Sequence, residues 1–546
     1  MEVLLRAIFL QHAGLPFRIS QLEGNMELGI CGGDLRAAVP FLLRKEKLET
    51  VKNKSGEVLL RINKESLAML TNELVAGALI SYDPLNIVID MESGEGLMHT
   101  ILHCLAWIYY NGLPLTTKGS LFLKTIDALK ELTPFEDEKL KGLQLQLTSQ
   151  EDLPISIAFM LDILVKMSVL RLGAEEWKIQ DEALQAWLKL DLKAANKKLL
   201  TILCENYVPA RKYQQQIVAL LTCARVQQGE ICILDNVVSR LPCCSSNTTG
   251  LKEEQTLWLN SWLYVLAQCG WLEQGKFVQN TSVTVVRWHE EQFELDQSII
   301  VQPDFEILVP PEVPLAIRYK LELFTECVRL DVMSQYRLTK RKFCLALESG
   351  LSWQLQIDLP AHIEMAIAEW TREVNLKQAK PIGNSKSKSK PKSSSKNIAK
   401  STLQSRITNA GCFVQPNPPL PSYEIGVEEP DFTQALPDFD TVPLKWRKQL
   451  SSYHPSTLKH LIEQAITWQI KVELQWGDQR VTLIPNTICD ESDGWRVVGI
   501  IPSFGEGEPM LQSIPNTQCY GAKLLVPDID SNNVSTFYSD SCNNML

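Results

Sequence analysis

The chain has 546 residues, 45% of them apolar, a formal net charge of −10 and 14 cysteines. At ~150 residues per domain the length predicts three to four domains, and the apolar content excludes a broadly disordered chain. The negative balance excludes a protein coated in positive charge, so any nucleic-acid contact must be a local basic patch.

The cysteines form no CxxC pair, and the adjacent Cys243 and Cys244 do not match a zinc-ligand spacing. Cys104, Cys223 and Cys327 fall on apolar faces, where a thiol behaves as a small hydrophobe. Such usage suits a reducing cytosol. The opening MEVLLRAIFLQHAG has an acid where a signal peptide needs a base. The apolar run ILHCLAWIYY is far short of the ~18–20 residues a membrane span requires. A cytoplasmic chain with no membrane partner is expected.

Residues 1–85 read as a winged-helix-like domain. Leu5, Ile8, Phe9 and His12 share one helical face. Asp34–Lys45 predicts a second helix that Pro40 must break or restart. Leu48–Val51 and Glu57–Ile62 predict two strands about the turn Asn53-Lys54-Ser55-Gly56. A plain α+β cap and a DNA-binding unit both suit this pattern.

Residues 95–195 repeat the outline with more helix. Leu97, Ile101, Leu105 and Ile108 make an apolar stripe, which Gly112-Leu113-Pro114 ends. Thr116 or Thr117 then caps an expected helix from Lys118 to Leu132, with Lys118 and Lys124 on or near it. A basic residue at a recognition-helix start suits a phosphate, although most helix pairs of this kind are merely packed. SIAFMLDILVKM and DEALQAWLKL complete the unit. Residues 205–295 read as a third such unit. It has stripes at Ile217, Leu220, Leu221 and Ala224 and at Leu259, Trp262, Leu263 and Leu266, the loop CCSSNTTGLKEEQ, and a terminal hairpin of Gly270–Glu273 with Val283–Trp288.

In residues 296–376, Val301, Phe305, Ile307 and Val309 alternate with Gln302, Asp304 and Glu306, which predicts one half-buried strand ended by Pro310-Pro311. Ile317, Leu321, Phe324 and Val328 predict a helix, and Tyr336-Arg337-Leu338 a short extended piece. Thr339 caps an expected helix to Glu348, followed by Gly350. Ile363, Ile367, Trp370 and Val374 stripe a last helix. Residues 377–443 read as a disordered linker, first Lys/Ser-rich, then proline-rich and acidic with Glu428, Glu429, Asp431, Asp438 and Asp440. Over 444–528, Ser456 caps a helix with Leu458, Leu461, Ile462 and Ala465 inward. Strands about Gly477-Asp478 and Asp493-Gly494 then suggest a small SH3-like barrel, and 529–546 a frayed tail.

No glycine-rich loop precedes Lys-Ser/Thr; Thr117-Lys118-Gly119-Ser120 has the residues in the wrong order. A nucleophile elbow and HExxH are absent too, so no catalytic residue, cofactor or metal is expected. His99 and His103, at i and i+4, lack an adjacent glutamate and an obvious third ligand, and read as two histidines on a packed helix. Lys386, Lys388, Lys390, Lys392, Lys396 and Lys400 could neutralise a few phosphates without sequence preference, or serve as a solvated spacer. Lys340, Arg341 and Lys342, beside Arg337 at a helix start, form a tighter cluster that suits phosphate or plain surface equally.

SIIVQPDFEILVP, Tyr336–Thr339, the ALESGLS turn at Ala346–Ser352 and the pattern through Leu359, Pro360, Ile367 and Trp370 resemble the N-terminal domain of XPB-type DNA helicases. That domain occurs also in bacterial helicase-associated domain proteins. The likeness covers about 75–80 residues of Ser298–Val374 and implies a domain that helps engage DNA. Where the helicases have a motor, this chain has the Lys/Ser linker and a small β domain. The C-terminal AI…VELQW…RVTLIP…WRVVG arrangement loosely resembles WYL-type regulatory domains, without their Trp-Tyr-Leu triplet.

The expected protein is α+β, mostly helical and multidomain. It combines winged-helix-like units, a helicase-associated α/β domain and a C-terminal WYL/SH3-like barrel. Its expected role is non-catalytic association with duplex or forked DNA at low specificity, through Lys118, Lys124, Arg337, Lys340, Arg341 and Lys342. A helicase or a transcription or repair protein is a partner in trans. A scaffold without DNA contact and a ligand-responsive regulator remain open.

Overall fold

Three times along this chain helices precede an antiparallel hairpin; the third hairpin lies in a five-stranded sheet that Leu79–Ile80 and Ile87–Met91 complete at its two ends. The computed structural model describes residues 1–25, 30–81, 86–94, 96–148, 153–173, 175–239, 241, 253–289, 298–330, 333–355, 357–379, 413–426, 430, 432–492, 494–501 and 510–527. In the first unit the strands Leu48–Lys52 and Val58–Ile62 pair, and the Phe17 backbone bridges Leu60 on the later strand. In the second, Leu113–Pro114 pairs with Glu176–Ile179, which pairs with Leu170–Leu172. In the third, Ile231–Ile233 pairs with Thr284–Trp288, which pairs with Leu272–Phe277. Each time a short leading segment adds to the later strand of the hairpin. Val285, Val286 and Trp288 are buried while Thr284 and Arg287 are less so, so this strand is covered on both faces at Val285-Val286.

The helices follow their stripes. Glu2–His12 buries Leu5, Ile8 and Phe9; Leu97–Asn111 buries Leu97, Ile101, Leu105 and Ile108. Pro40 does restart its helix, leaving Gly32–Ala37 and Val39–Arg44. The expected Lys118–Leu132 helix starts only at Leu123. Upstream, the Thr116 N–H donates to the Ser120 carbonyl, and the Ser120 N–H donates to the Thr116 hydroxyl. With Gly119 at a φ of 81°, the chain there makes a tight loop instead of a first helical turn. The loop expected at CCSSNTTGLKEEQ lies mostly outside the described residues.

Within 298–379 the single strand expected at Val301–Val309 is a hairpin. Ile300–Val301 and Glu306–Val309 pair across a turn at Gln302–Phe305, where Phe305 takes a φ of 70°. Pro303-Asp304 is turn chemistry that the alternation of apolar residues concealed. The sheet order is Ile300–Val301, Glu306–Val309, Ser334–Arg337, Glu326–Arg329. The helix Leu315–Phe324 stops short of Val328, which is half exposed on the last of these strands. Thr339 caps Lys340–Glu348 as expected, its hydroxyl accepting the Lys342 N–H at 3.3 Å. Ile363, Ile367 and Val374 are buried along Ala361–Ala379. Phe343 meets the rings of Phe324, Trp353 and Trp370 at 5.4, 5.5 and 5.7 Å.

One apolar core runs from Leu4 to Ala435, so the first four expected domains share a single interior. A second core spans Leu436 to Leu524. The expected linker 377–443 divides into three. Its first residues belong to the helix ending at Ala379, residues 380–412 lie outside the described residues, and the described part of the remainder packs as a strap. Val414-Gln415 pairs with Gln146-Leu147, the Ala210 N–H donates to Pro418, and Glu424-Ile425 pairs with Val51-Lys52. Phe413 and Val414 are apolar anchors that composition averaged over a proline-rich stretch does not reveal.

The C-terminal helix is Pro455–Trp468, with Leu458, Leu461, Ile462 and Ala465 inward. Its cap is His454, with Pro455 in the first turn, so Ser456 lies one residue inside. Five strands follow in the order Met510–Pro515, Gly494–Ile501, Gln479–Glu491, Lys471–Trp476, Cys519–Leu525. The two end strands stay apart, so the expected barrel is an open sheet. The tail after Asp528 lies outside the described residues. Among the described residues no helix is long and apolar enough to cross a membrane, and the described cysteines are free thiols.

Candidate functional site

The basic edge begins where the strand Ser334–Arg337 runs into the helix Lys340–Glu348. Cations at a helix N-terminus oppose its dipole, so their placement depends on nearby acids. Arg337 donates to Glu306 on the neighbouring strand at 2.5 Å, and this hydrogen bond raises its pKa. Lys340 donates to Glu373 of the helix Ala361–Ala379 at 2.8 Å, with the same effect. Lys342 turns inward: its ammonium lies 4.1 Å from the centre of the Tyr110 ring, and burial lowers its pKa against the pull of Glu322 and Glu326. Arg341 is exposed and forms no ion pair with a described residue.

Lys118 is exposed in the Thr116–Ser120 loop rather than at a helix start, and Lys124 is exposed in the first turn of Leu123–Leu132. Both follow the helix that carries Tyr110, but they stand beside exposed apolar side chains, Phe122 and Leu123. Two of the six expected cations are thus committed to acids of their own domain, and Lys342 to a ring. Lys386–Lys400 lies outside the described residues.

The helices that precede the hairpins are committed as well. Ile155–Lys166 is buried on nearly every side, and Glu253–Gln268 is buried from Trp258 onward except at Asn260 and Gln268. In the first unit, Arg36 is buried and donates to the carbonyls of Leu22, Ala435 and Trp468, while the Gly33 N–H donates to Gln469. Lys471 pairs with Asp34 at 3.0 Å, completing a seat for the C-terminal domain on Gly32–Ala37, the helix before the one that leads into the hairpin.

Beneath the basic edge lies a polar cluster that pattern reading missed. Glu322 is in the last turn of Leu315–Phe324, with a side chain 2% exposed. One carboxylate oxygen accepts the Tyr336 hydroxyl at 2.7 Å; the other faces Nδ1 of His103 at 2.7 Å. Burial beside Glu322 drives the Tyr336 pKa far above its ordinary value. Arg318, one turn earlier and fully buried, donates to the Ser334 hydroxyl and the Pro310 carbonyl. Cys327 pairs with Tyr336 across the sheet. Its sulfur, a His103 ring nitrogen and a Glu322 carboxylate oxygen lie within 4.8 Å of one another, a grouping with metal-ligand chemistry among the described residues. His103 therefore answers to a glutamate 219 residues away rather than to His99. The signal available in sequence was the acid inside Leu321-Glu322-Leu323-Phe324, an apolar run that predicts a buried partner for it.

Compared with known proteins, the chain matches no family model and no curated sequence.

Proposed function

We propose that this chain is a non-catalytic part of DNA-processing machinery that enters it through protein contacts, as a scaffold for a helicase, transcription or repair complex acting in trans. One observation carries the reading: the helices that a winged-helix-like unit would lay in a DNA groove are spent inside the protein. Ile155–Lys166 and most of Glu253–Gln268 are buried in the shared core, Val39–Arg44 buries Val39, Pro40 and Leu42, and the helix before it, Gly32–Ala37, seats the C-terminal domain. The resemblance of Ser298–Val374 to XPB-type domains, in a chain with no phosphate-cradling loop, supports a role beside a motor rather than as one. Phe122 and Leu123 beside Lys124, and Leu345 on the helix that carries Arg341, are exposed apolar side chains, and they suit a protein surface better than phosphates.

A second reading, direct binding of duplex or forked DNA at low specificity, is favoured by Lys118, Lys124 and Arg341, which are exposed with no ion pair to a described residue. Fluorescence titration with duplex, forked and single-stranded DNA at low and moderate salt separates the two. The scaffold reading expects weak binding at low salt and partner proteins that stay bound after nuclease treatment. Tight binding that falls steeply with salt, and that is abolished by Lys118→Glu, Lys124→Glu and Arg341→Glu together, would establish the DNA reading instead.

A further inference from the structure

We propose that His103, Glu322 and Cys327 form a site for one zinc-class divalent cation at the junction between the second unit and the Ser298–Val374 domain. This inference stands independently of the scaffold reading. The three residues supply nitrogen, oxygen and sulfur, the donor set of borderline-soft metals. They come from two parts of the fold: the helix Leu97–Asn111 on one side, the end of Leu315–Phe324 and the strand Glu326–Arg329 on the other.

The donors stand within 4.8 Å of one another, whereas around a tetrahedral zinc with bonds of ~2.0–2.3 Å they would be ~3.3–3.8 Å apart. The His103–Glu322 pair at 2.7 Å has to open by about 0.6 Å and the sulfur to approach by at most about 1.3 Å, within the reach of side-chain torsions. The supports of such a site are in place. Cys327 is directly opposite Tyr336 in the sheet, so both side chains stand on one face. The Tyr336 hydroxyl holds one oxygen of Glu322 and leaves the other for the ion, the outer-sphere arrangement that orients metal-bound carboxylates. The buried Thr325 hydroxyl donates to the Leu321 carbonyl at 2.6 Å, fixing the turn between Glu322 and Cys327.

Charge balances too. A neutral imidazole, a carboxylate and a thiolate offset a divalent cation, with the thiol proton released to solvent on binding. The His103 side chain is 30% exposed against 2% for Glu322, so the ion enters past the imidazole and keeps a fourth position for water. Bound there, it ties the helix of one unit to the helix and sheet of the next.

The test uses the full chain, stripped with chelator, then titrated with Zn²⁺ and with Co²⁺. The expected result is one tightly held equivalent of zinc and, with cobalt, tetrahedral visible bands plus a thiolate charge-transfer band. Cys327→Ser removes that band and His103→Gln lowers zinc affinity, whereas Cys519→Ser leaves both unchanged. Tyr336→Phe weakens binding by about 10–100-fold. No stoichiometric uptake by the unmodified chain, or a charge-transfer band that survives Cys327→Ser, overturns the proposal; His103 and Glu322 are then a hydrogen-bonded latch alone. Should the variants fail to fold, melting of the unmodified chain decides: zinc raises the midpoint relative to chelator, and identical midpoints overturn the site.

Discussion

The Asp162 carboxylate accepts the backbone N–H of Phe413 at 2.5 Å, joining positions 251 residues apart in a place solvent does not reach. Its other oxygen accepts the Tyr207 hydroxyl at 2.8 Å. This carboxylate therefore anchors the start of the strap, against which Trp177 stacks on Phe413 with ring centres 4.7 Å apart. Asp162→Ala removes the acceptor shared by the Phe413 N–H and the Tyr207 hydroxyl and should destabilise the chain by about 2–4 kcal/mol, read from urea unfolding.

Asp162→Asn keeps an oxygen for Phe413 and tests the charge. Burial raises the Asp162 pKa above its ordinary 3.8, only partly offset by the Tyr207 and Phe413 hydrogen bonds. The folded state then holds this proton more tightly than the unfolded state. The associated stability is full below the ordinary carboxylate value and is lost as pH rises through the folded value. Stability measured from about pH 4 upward should therefore shift in favour of the Asn variant. A difference that stays flat with pH would contradict the assignment.

Gly33 packs tightly against the C-terminal domain. A methyl group there would run into the Ile470 side chain and stand 2.9 Å from the Trp468 carbonyl. Gly33→Ala should cost about 1–3 kcal/mol by overpacking. Limited proteolysis should release the C-terminal domain earlier than in the unaltered protein.

Phe343 lies among three other aromatic rings and is fully buried. Phe343→Ala should destabilise by about 3–5 kcal/mol, a large-to-small change with little room for collapse. Thermal unfolding by circular dichroism reads it.

Arg337 and Lys340 make exposed ion pairs, which solvent screens. Replacing either by Ala should leave the melting midpoint unchanged within error. If the edge does not touch phosphate, those variants should also leave DNA titrations unaltered.

Much of this fold was legible because apolar spacing is local. The stripe from Leu97 to Ile108, the Thr339 cap and the Gly477 turn each declare themselves within a dozen residues. What stayed hidden depends on distance along the chain. Nothing near Phe413 reveals Asp162, and nothing near His103 reveals Glu322. Local signals also competed: apolar alternation concealed the Pro303-Asp304 turn, and a capping threonine was drawn into a loop with Gly119. Of the site, the basic residues were legible as types, but their neutralisation by Glu306 and Glu373 needed the tertiary structure.

The strand Glu424-Ile425 completes the sheet edge at Val51-Lys52. A ribosome adds ~5–20 residues per second, so a nascent first unit waits on the order of tens of seconds for the segment that covers it. During that interval the backbone groups of Val51 and Lys52 are open to pairing with another chain. Late-arriving cover leaves this edge of the amino-terminal unit open to wrong pairing until the strap is made.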